Sequence, residues 1–324
     1  MEISGITSLA AKISENIAKV IVGKDDVIKL VTTALLAGGH VLLEDVPGTG
    51  KTVLAKSLSR SVSGEFKRIQ FTPDLLPSDV TGTSVFDQQK LTFEFKKGPA
   101  FSNILLADEI NRATPRTQSA LLECMEERQV TADGETMPLP APFFVIATQN
   151  PVEIQGTFPL PEAQLDRFLF KLSMGYPEGA DAVTLIDRFI EASPLEEISA
   201  VATTEEILDA QKSFSKVHVS APVREYIAHL ASETRKGSDV SLGVSPRGIL
   251  AMLRAAQVAA AVDGRSYVLP DDVKMLAPHV FTHRMIMRGG LSMGAAKARE
   301  RIDQILASVP APTEDPTLTG KIEA

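Results

Sequence analysis

Cysteine is almost missing from this chain of 324 residues: Cys124 stands alone, so no disulfide can close within it. Such usage fits a reducing compartment, and a cytoplasmic location is the expectation. Cys124 sits in Leu121-Leu122-Glu123-Cys124-Met125, an apolar helical stretch that suits a small core residue better than a nucleophile. The five histidines are scattered without ligand spacing, so no metal site of that kind can be argued. Long apolar runs are lacking too. None approaches the ~18 residues that cross a bilayer, and the first residues, with Glu2 and no basic cluster, do not read as a signal peptide. Nor is there an excess of positive charge, since 33 lysines and arginines face 41 acids for a formal net charge of −8. That balance argues against a protein that coats nucleic acid indiscriminately, while leaving room for a local basic stripe.

What is present is ordinary for a globular protein: 44% hydrophobic and 23% charged residues in a chain long enough for two domains. Short apolar runs at Val41 to Glu44, Lys67 to Phe71, Asn103 to Ala107, Phe143 to Thr148 and Phe168 to Ser173 alternate with helix-length segments. That alternation predicts an α/β domain with a parallel five-stranded sheet covered on both faces. A helical stretch from Ile6 to Val20, the turn Ile21-Val22-Gly23-Lys24 and a helix toward Leu36 precede the first strand. Turn residues at Tyr176-Pro177-Glu178-Gly179 predict the end of this domain, residues 1–176. Helical spacing then dominates through Val223 to Lys236, Arg247 to Val262, a start at Pro270-Asp271-Asp272, and Met293 to Leu306. A second, smaller all-α domain over 177–307 is expected, with a disordered, proline-containing tail over 308–324. Two segments interrupt the α/β pattern: Thr81 to Lys97, with the alternating Leu91-Thr92-Phe93-Glu94-Phe95, and Gln129 to Pro138, with the hairpin turn Asp133-Gly134. By pattern alone either is a surface hairpin or a functional one.

The chemistry is carried first by Asp45-Val46-Pro47-Gly48-Thr49-Gly50-Lys51-Thr52, directly after the first strand. A strand, a glycine-rich turn and a helix beginning at Lys51 aim backbone N–H groups and a helix N-terminus at a phosphate chain. Lys51 is then expected on the β- and γ-phosphates and the Thr52 hydroxyl on magnesium. The motif asks for glycine at position 45; aspartate is among the few residues that tolerate the left-handed region this turn is expected to need. The third run ends in Asp108-Glu109. An unpaired buried carboxylate is disfavoured, so a pair at a strand's carboxyl end beside a phosphate loop suits Asp108 as a magnesium ligand and Glu109 as the base that positions and deprotonates water.

The fourth run ends in Gln149-Asn150-Pro151, where Asn150 either orients the attacking water or simply turns the chain before proline. Arg167, in Leu165-Asp166-Arg167-Phe168, either pairs with Asp166 or a neighbouring carboxylate, or stabilises charge on another subunit's nucleotide. Arg247, in Gly243-Val244-Ser245-Pro246-Arg247-Gly248, stands in the first turn of a helix, which disfavours a cation unless an anion is near; a γ-phosphate would be one, and plain solvation is the alternative.

Together these residues resemble AAA+ ATPases, and more closely the MoxR family. The strings that carry the likeness are Ile21-Val22-Gly23, Pro47 to Thr52, Leu106 to Ala113, Ala147 to Pro151, Leu160 to Phe168 and Ser245-Pro246-Arg247. The resemblance implies an AAA+ P-loop core with a helical lid, and a Walker A loop of Pro47, Gly48, Thr49, Gly50, Lys51, Thr52 and Val53. Val22 and Gly23 would lie near the adenine. Thr52 and Asp108 would hold Mg2+; Glu109 completes Walker B, Asn150 is sensor 1, Arg167 the arginine finger and Arg247 sensor 2. By the same likeness the hairpins face a pore or a client, and the chain is expected to form a hexameric ring that remodels a protein client with a von Willebrand factor A domain partner. Mg-dependent ATP hydrolysis would move the lid, bringing Arg247 to the phosphates and Arg167 in trans. A DNA-dependent motor and a slowly hydrolysing nucleotide switch are the competing readings; the acidic turn Asp133-Gly134-Glu135 speaks against phosphate tracking.

Overall fold

The computed structural model describes residues 1–151, 156–191, 193–288 and 291–313. Five parallel strands form the central sheet: β1 (Val41–Glu44), β2 (Phe66–Gln70), β3 (Ile104–Asp108), β4 (Phe144–Gln149) and β5 (Phe170–Leu172). Their order across the sheet is β5-β1-β4-β3-β2. All pairings are parallel, with Leu43 opposite Thr148 and Leu172, and Gln70 opposite Asp108. Because successive side chains point to opposite faces, each strand feeds two cores. Val41, Leu43, Ile104, Leu106 and Ile146 pack on one face, and Leu42, Leu105, Ala107, Val145 and Ala147 on the other. Burial on both faces is why these strands read as continuous apolar runs rather than alternating ones.

The second face is closed by α4 (Pro115–Glu127), the fourth labelled helix along the chain, through Leu121, Leu122 and Met125. Cys124 is buried there too, and burial pushes its thiol up to about 12, as expected of a core residue rather than a thiolate nucleophile. The first face receives α1 (Ile3–Ala18), α2 (Asp25–Leu36) and α3 (Lys51–Ser61).

Beyond β5 come α5 (Ala180–Glu191), α6 (Thr204–Ser213), α7 (Ala221–Glu233), α8 (Pro246–Val262), α9 (Pro270–Phe281) and α10 (Leu291–Ser308). Local chemistry starts these helices. Thr203 and Glu206 make a reciprocal cap on α6, and the Ser245 hydroxyl accepts the Gly248 N–H at the head of α8 while Pro246 occupies a position that needs no donor. The buried alanines of α8, Ala255, Ala256, Ala259 and Ala260, share one apolar core with Leu9, Ile13 and Ile17 of α1. The helical half is therefore welded to the amino-terminal helices. Short strand pairs also occur there, Val240–Leu242 against Ile286–Met287, and Ala202–Thr203 alongside Val62–Ser63, each too short for alternation to announce it.

Both interruptions are hairpins. Gly82–Asp87 pairs with Thr92–Lys97, and Gln129–Ala132 with Glu135–Pro138. Positive φ at both Asp133 (53°) and Gly134 (81°) makes the second turn the type I′ form that suits strand twist. The Ser84 hydroxyl donates to the Asp133 carboxylate, joining the hairpins, and the exposed rings of Phe86 and Phe93 meet edge to face on the first. No helix among the described residues is long and apolar enough to cross a membrane. The tail expected from residue 308 lies, from residue 314 onward, outside the described residues.

Candidate nucleotide site

All five strands run the same way, so the chain's turns collect at two edges of the sheet. At the carboxyl edge, residues 45–50 link β1 to α3. Gly48 (φ 83°) and Gly50 (φ 89°) adopt a conformation that other residues resist, and a β-carbon on Gly48 would project into open space, the space a phosphate chain needs. The Lys51 ammonium donates to the carbonyls of Asp45 (2.5 Å) and Val46 (3.1 Å), capping the loop from inside. Burial lowers its pKa, opposed by the carboxylates of Asp45, Asp108 and Glu109, so the lysine and the acidic pair share one field.

Position 45 departs from expectation. Residues other than glycine with positive φ among those described are Leu91, Glu109, Arg128 and Asp133; Asp45 is not one of them. Its side chain explains the choice instead. The buried carboxylate accepts the Ser173 hydroxyl (3.2 Å) and the N–H groups of Met174 and Gly175 (3.1 Å), tying the loop to the chain leaving β5.

Asp108 and Glu109 sit beside the loop, at the end of β3. Asp108 Oδ1 accepts the Thr148 hydroxyl (2.6 Å), and Oδ2 accepts Arg68 Nη2 (2.7 Å) and Nε (3.2 Å). Glu109 is held in the left-handed region (φ 55°, ψ 50°), which costs a non-glycine residue roughly 1–2 kcal/mol. The Thr148 hydroxyl accepts its N–H (2.8 Å), and its Oε2 accepts Gln70 Nε2 (2.7 Å) and Arg112 Nη1 (3.0 Å). Strain at a carboxylate beside a phosphate loop is characteristic of functional positions. Asn150 is buried just past β4, and its carbonyl accepts Asn111 Nδ2 (3.3 Å). On the opposite flank of the loop, Val22 is half-buried and Gly23 (φ 65°) lies against Asp181 of α5 so closely that a β-carbon would collide with its carboxylate.

The donor set fits a magnesium-bound nucleoside triphosphate: glycine backbone and Lys51 for phosphates, and the hard oxygens of Thr52 and Asp108 for the ion. Thr52 and Val53 begin α3 and are half-buried.

Arg167 and Arg247 are elsewhere. Arg167 precedes β5, at the edge where strands begin, with the whole of that strand between it and the edge that carries the phosphate loop. Its Nε lies 2.7 Å from Glu126 Oε2, a close ion-pair contact without hydrogen-bond alignment, and Arg247 Nη2 donates to Glu126 Oε1 (2.5 Å). The pairing of Arg167 with Asp166, one of the sequence's alternatives, does not occur. Asp166 instead accepts Arg284 Nε (2.6 Å) and the Ser245 hydroxyl (2.9 Å). Arg284 is buried and also donates to the carbonyls of Asp166 (3.0 Å) and Phe168 (2.7 Å), so the helical half grips the segment carrying Arg167. Arg128 and Arg254 complete the lining of a cavity of about 330 Å³, whose arginines outnumber its acids, Glu126 and Asp166. Burial and the nearby Arg254 bring the Arg128 guanidinium down to about 10. His40, also buried there, accepts the Val145 N–H at Nδ1 (3.0 Å) and so presents an Nε2–H to the Met125 carbonyl (3.1 Å); burial holds its pKa well below the usual value. Arg247 is thus brought to Arg167, and not to Lys51.

Several of these partners were not foreseen. Gln70 and Thr148 stand at the same carboxyl edge as Asp108, at the ends of β2 and β4, so the strand-end rule extends to both; Arg68 and Glu126 carry no such local signal.

Fold and site define a P-loop nucleotide-binding protein of the AAA class with a helical lid. A family model for ATPases associated with various cellular activities matches residues 40–170, and an AAA lid domain matches 232–307. The chain is 49% identical to the uncharacterised protein YeaC of Bacillus subtilis, over 94% of this chain and 96% of that one. It is 42% identical to Chaperone MoxR1 of Mycobacterium tuberculosis, over 84% and 74%, and 31% identical to Protein MoxR of Methylorubrum extorquens, over 94% and 95%. A crystal structure of a candidate ATPase from Cytophaga hutchinsonii superimposes with a TM-score of 0.85 at 38% identity, covering 96% of this chain and 98% of that one. The chain belongs to the MoxR family of AAA+ ATPases.

Proposed function

We propose that this protein hydrolyses ATP with magnesium at sites completed between copies, and uses the cycle to remodel or mature a protein partner. The observation that carries the reading is the division of the machinery. Lys51, Asp108 and Glu109 gather at the carboxyl edge of the sheet, whereas Arg167 and Arg247 share Glu126 at the other. A cation pair that cannot reach its own phosphate loop is suited to a neighbour's.

In this reading the backbone of 47–50 and Lys51 hold the phosphates, Val22 and Gly23 flank the base, and Thr52 and Asp108 hold magnesium, which neutralises charge on the phosphate oxygens. Arg68 then yields some of its hold on Asp108. Glu109 takes the proton of the attacking water once Gln70 and Arg112 release its carboxylate, and Asn150 orients that water. Arg167 and Arg247 leave Glu126 for the developing charge on the next protomer's γ-phosphate, a trans role for Arg247 that replaces the cis role expected from sequence. The lid of 177–307 moves with the core of 1–176 through the Asp166–Arg284 tie.

The name of the Mycobacterium tuberculosis relative, a chaperone, supports remodelling as the output. A hexameric ring, a von Willebrand factor A domain partner and an unidentified client rest on the family likeness, and a cytoplasmic location on the single cysteine. The test is ATPase rate per protomer against protein concentration, with magnesium and no partner. A rate that climbs with concentration is expected; a substantial rate that stays flat down to dilutions where sizing shows only monomer sinks the shared site.

A further inference from the structure

The chain from the end of β5 through the first turn of α5 touches the proposed nucleotide site twice over, from opposite ends. At the phosphate end, Asp45 accepts the N–H groups of Met174 and Gly175 and the Ser173 hydroxyl, and the Met174 methyl lies 3.7 Å from where a β-carbon on Gly50 would stand. At the base end, Lys24 Nζ donates to the Tyr176 carbonyl (3.0 Å), and the Asp181 carboxylate crowds Gly23. Asp45 joins these facts in one residue. Its carbonyl receives Lys51 and its carboxylate receives the outgoing chain. A phosphate that draws Lys51 away frees that peptide, and the carboxylate carries the displacement to Met174 and Gly175.

We propose that Asp45 is a positioning residue that couples the phosphate loop to segment 173–181, and that this segment senses phosphate at one end and base at the other as it enters α5 and the lid. The inference rests on the nucleotide site proposed above. Glycine, which the phosphate-loop pattern asks for at position 45, would bind phosphate without the link, so the departure from the pattern is the coupling device itself. Three donors on one buried carboxylate satisfy it without a cation, which leaves Lys51 free to move.

Hydrogen exchange read by mass spectrometry on the full chain, with and without a non-hydrolysable ATP analogue and magnesium, tests this. In the wild type the analogue slows exchange across 173–191. Asp45→Ala is expected to speed exchange at Met174 and Gly175 about tenfold, the scale of losing one or two net hydrogen bonds. It should abolish the response of 180–191 while the analogue still binds. Asp45→Asn keeps an acceptor oxygen for the two amides and should restore the response, which loss of loop stability alone would not predict. If 180–191 answers the analogue in Asp45→Ala as in the wild type, the coupling is refuted. Should Asp45→Ala fail to fold, Lys24→Met decides through the base end: a weakened response at 176–181 supports the proposal, and an unchanged one overturns it. A wild type that binds the analogue without any change in 173–191 overturns the coupling alone; one that binds no analogue overturns the nucleotide site as well.

Discussion

The two edges of the sheet differ in how their charges are paired. At the carboxyl edge the functional side chains are satisfied by near neighbours: Lys51 by loop carbonyls, Asp108 by Thr148 and Arg68, Glu109 by Gln70 and Arg112. At the amino edge the charges do not balance. Arg128, Arg167, Arg247, Arg254 and Arg284 surround two acids, and Arg167 and Arg247 share one carboxylate between them. A self-sufficient edge can hold its charges without help, whereas an edge with surplus cations is built for an anion that the same copy does not place there. On the function proposed above, one copy carries two halves of different sites.

The sharpest way to break this comparison is Arg167→Ala. It should lower kcat by roughly 10³–10⁵, about 4–7 kcal/mol, with nucleotide affinity per protomer unchanged. Mixing it with Lys51→Ala, which should not bind nucleotide, is expected to recover measurable turnover at junctions that pair one intact edge with the other; a mixture as inert as its components would place Arg167 in cis or outside the chemistry. Glu109→Gln should retain ATP binding by calorimetry and lose about 10²–10⁴ in rate.

Arg284→Met removes the tie rather than the chemistry. Breaking a buried ion pair on one side costs about 3–5 kcal/mol, so denaturant unfolding should shift by that much, and a shift below 1 kcal/mol would show that Asp166 is held by Ser245 alone. Acid should act at the same edge. His40 and His283 are buried with pKa values pressed below the ordinary 6.5 by desolvation, and next by the cations Arg128 and Arg284. The unfolded chain binds protons there that the folded chain refuses, so stability is full above about 6.5 and falls as pH drops through and below it. Thermal melts between pH 7 and 5 check the sign. The smallest effect is expected from Gln70→Ala, which removes one of two donors on Glu109 and should raise basal turnover by less than about tenfold, a net hydrogen bond's worth.

Much of the fold was legible because it depends on local rules. All five sheet strands lie where apolar runs of strand length occur, and both hairpins where alternation or Asp133-Gly134 marked them. The strands' carboxyl ends drew attention to Asp108, Glu109 and Asn150 before their neighbours were known. Gln70 was missed although it ends β2 at the same edge, since the run that holds it continues in the sequence to the apolar Phe71. Glu126 was out of reach: it lies on α4 among Glu123, Glu127 and Arg128, and nothing in that helix singles out the carboxylate that meets Arg167 and Arg247. Position 45 shows the converse error. Read as a residue tolerated in a strained turn, it is instead a hydrogen-bond acceptor in backbone of ordinary φ, a role set by residues 173–175, just past a strand far along the chain.

By itself the sequence determined the parallel sheet, the glycine-rich loop after β1, the acidic pair at the end of β3 and the predominance of helices beyond β5, because hydrophobic period, glycine at positive φ and strand-end polarity act over a few residues. Only the tertiary structure decided which edge each arginine serves, what Asp45 holds and which partners restrain Glu109. Those are questions of distance between residues up to 130 apart in the chain, as with Asp45 and Gly175, and a hydrogen bond of 3 Å has no signature in the spacing of the residues that make it.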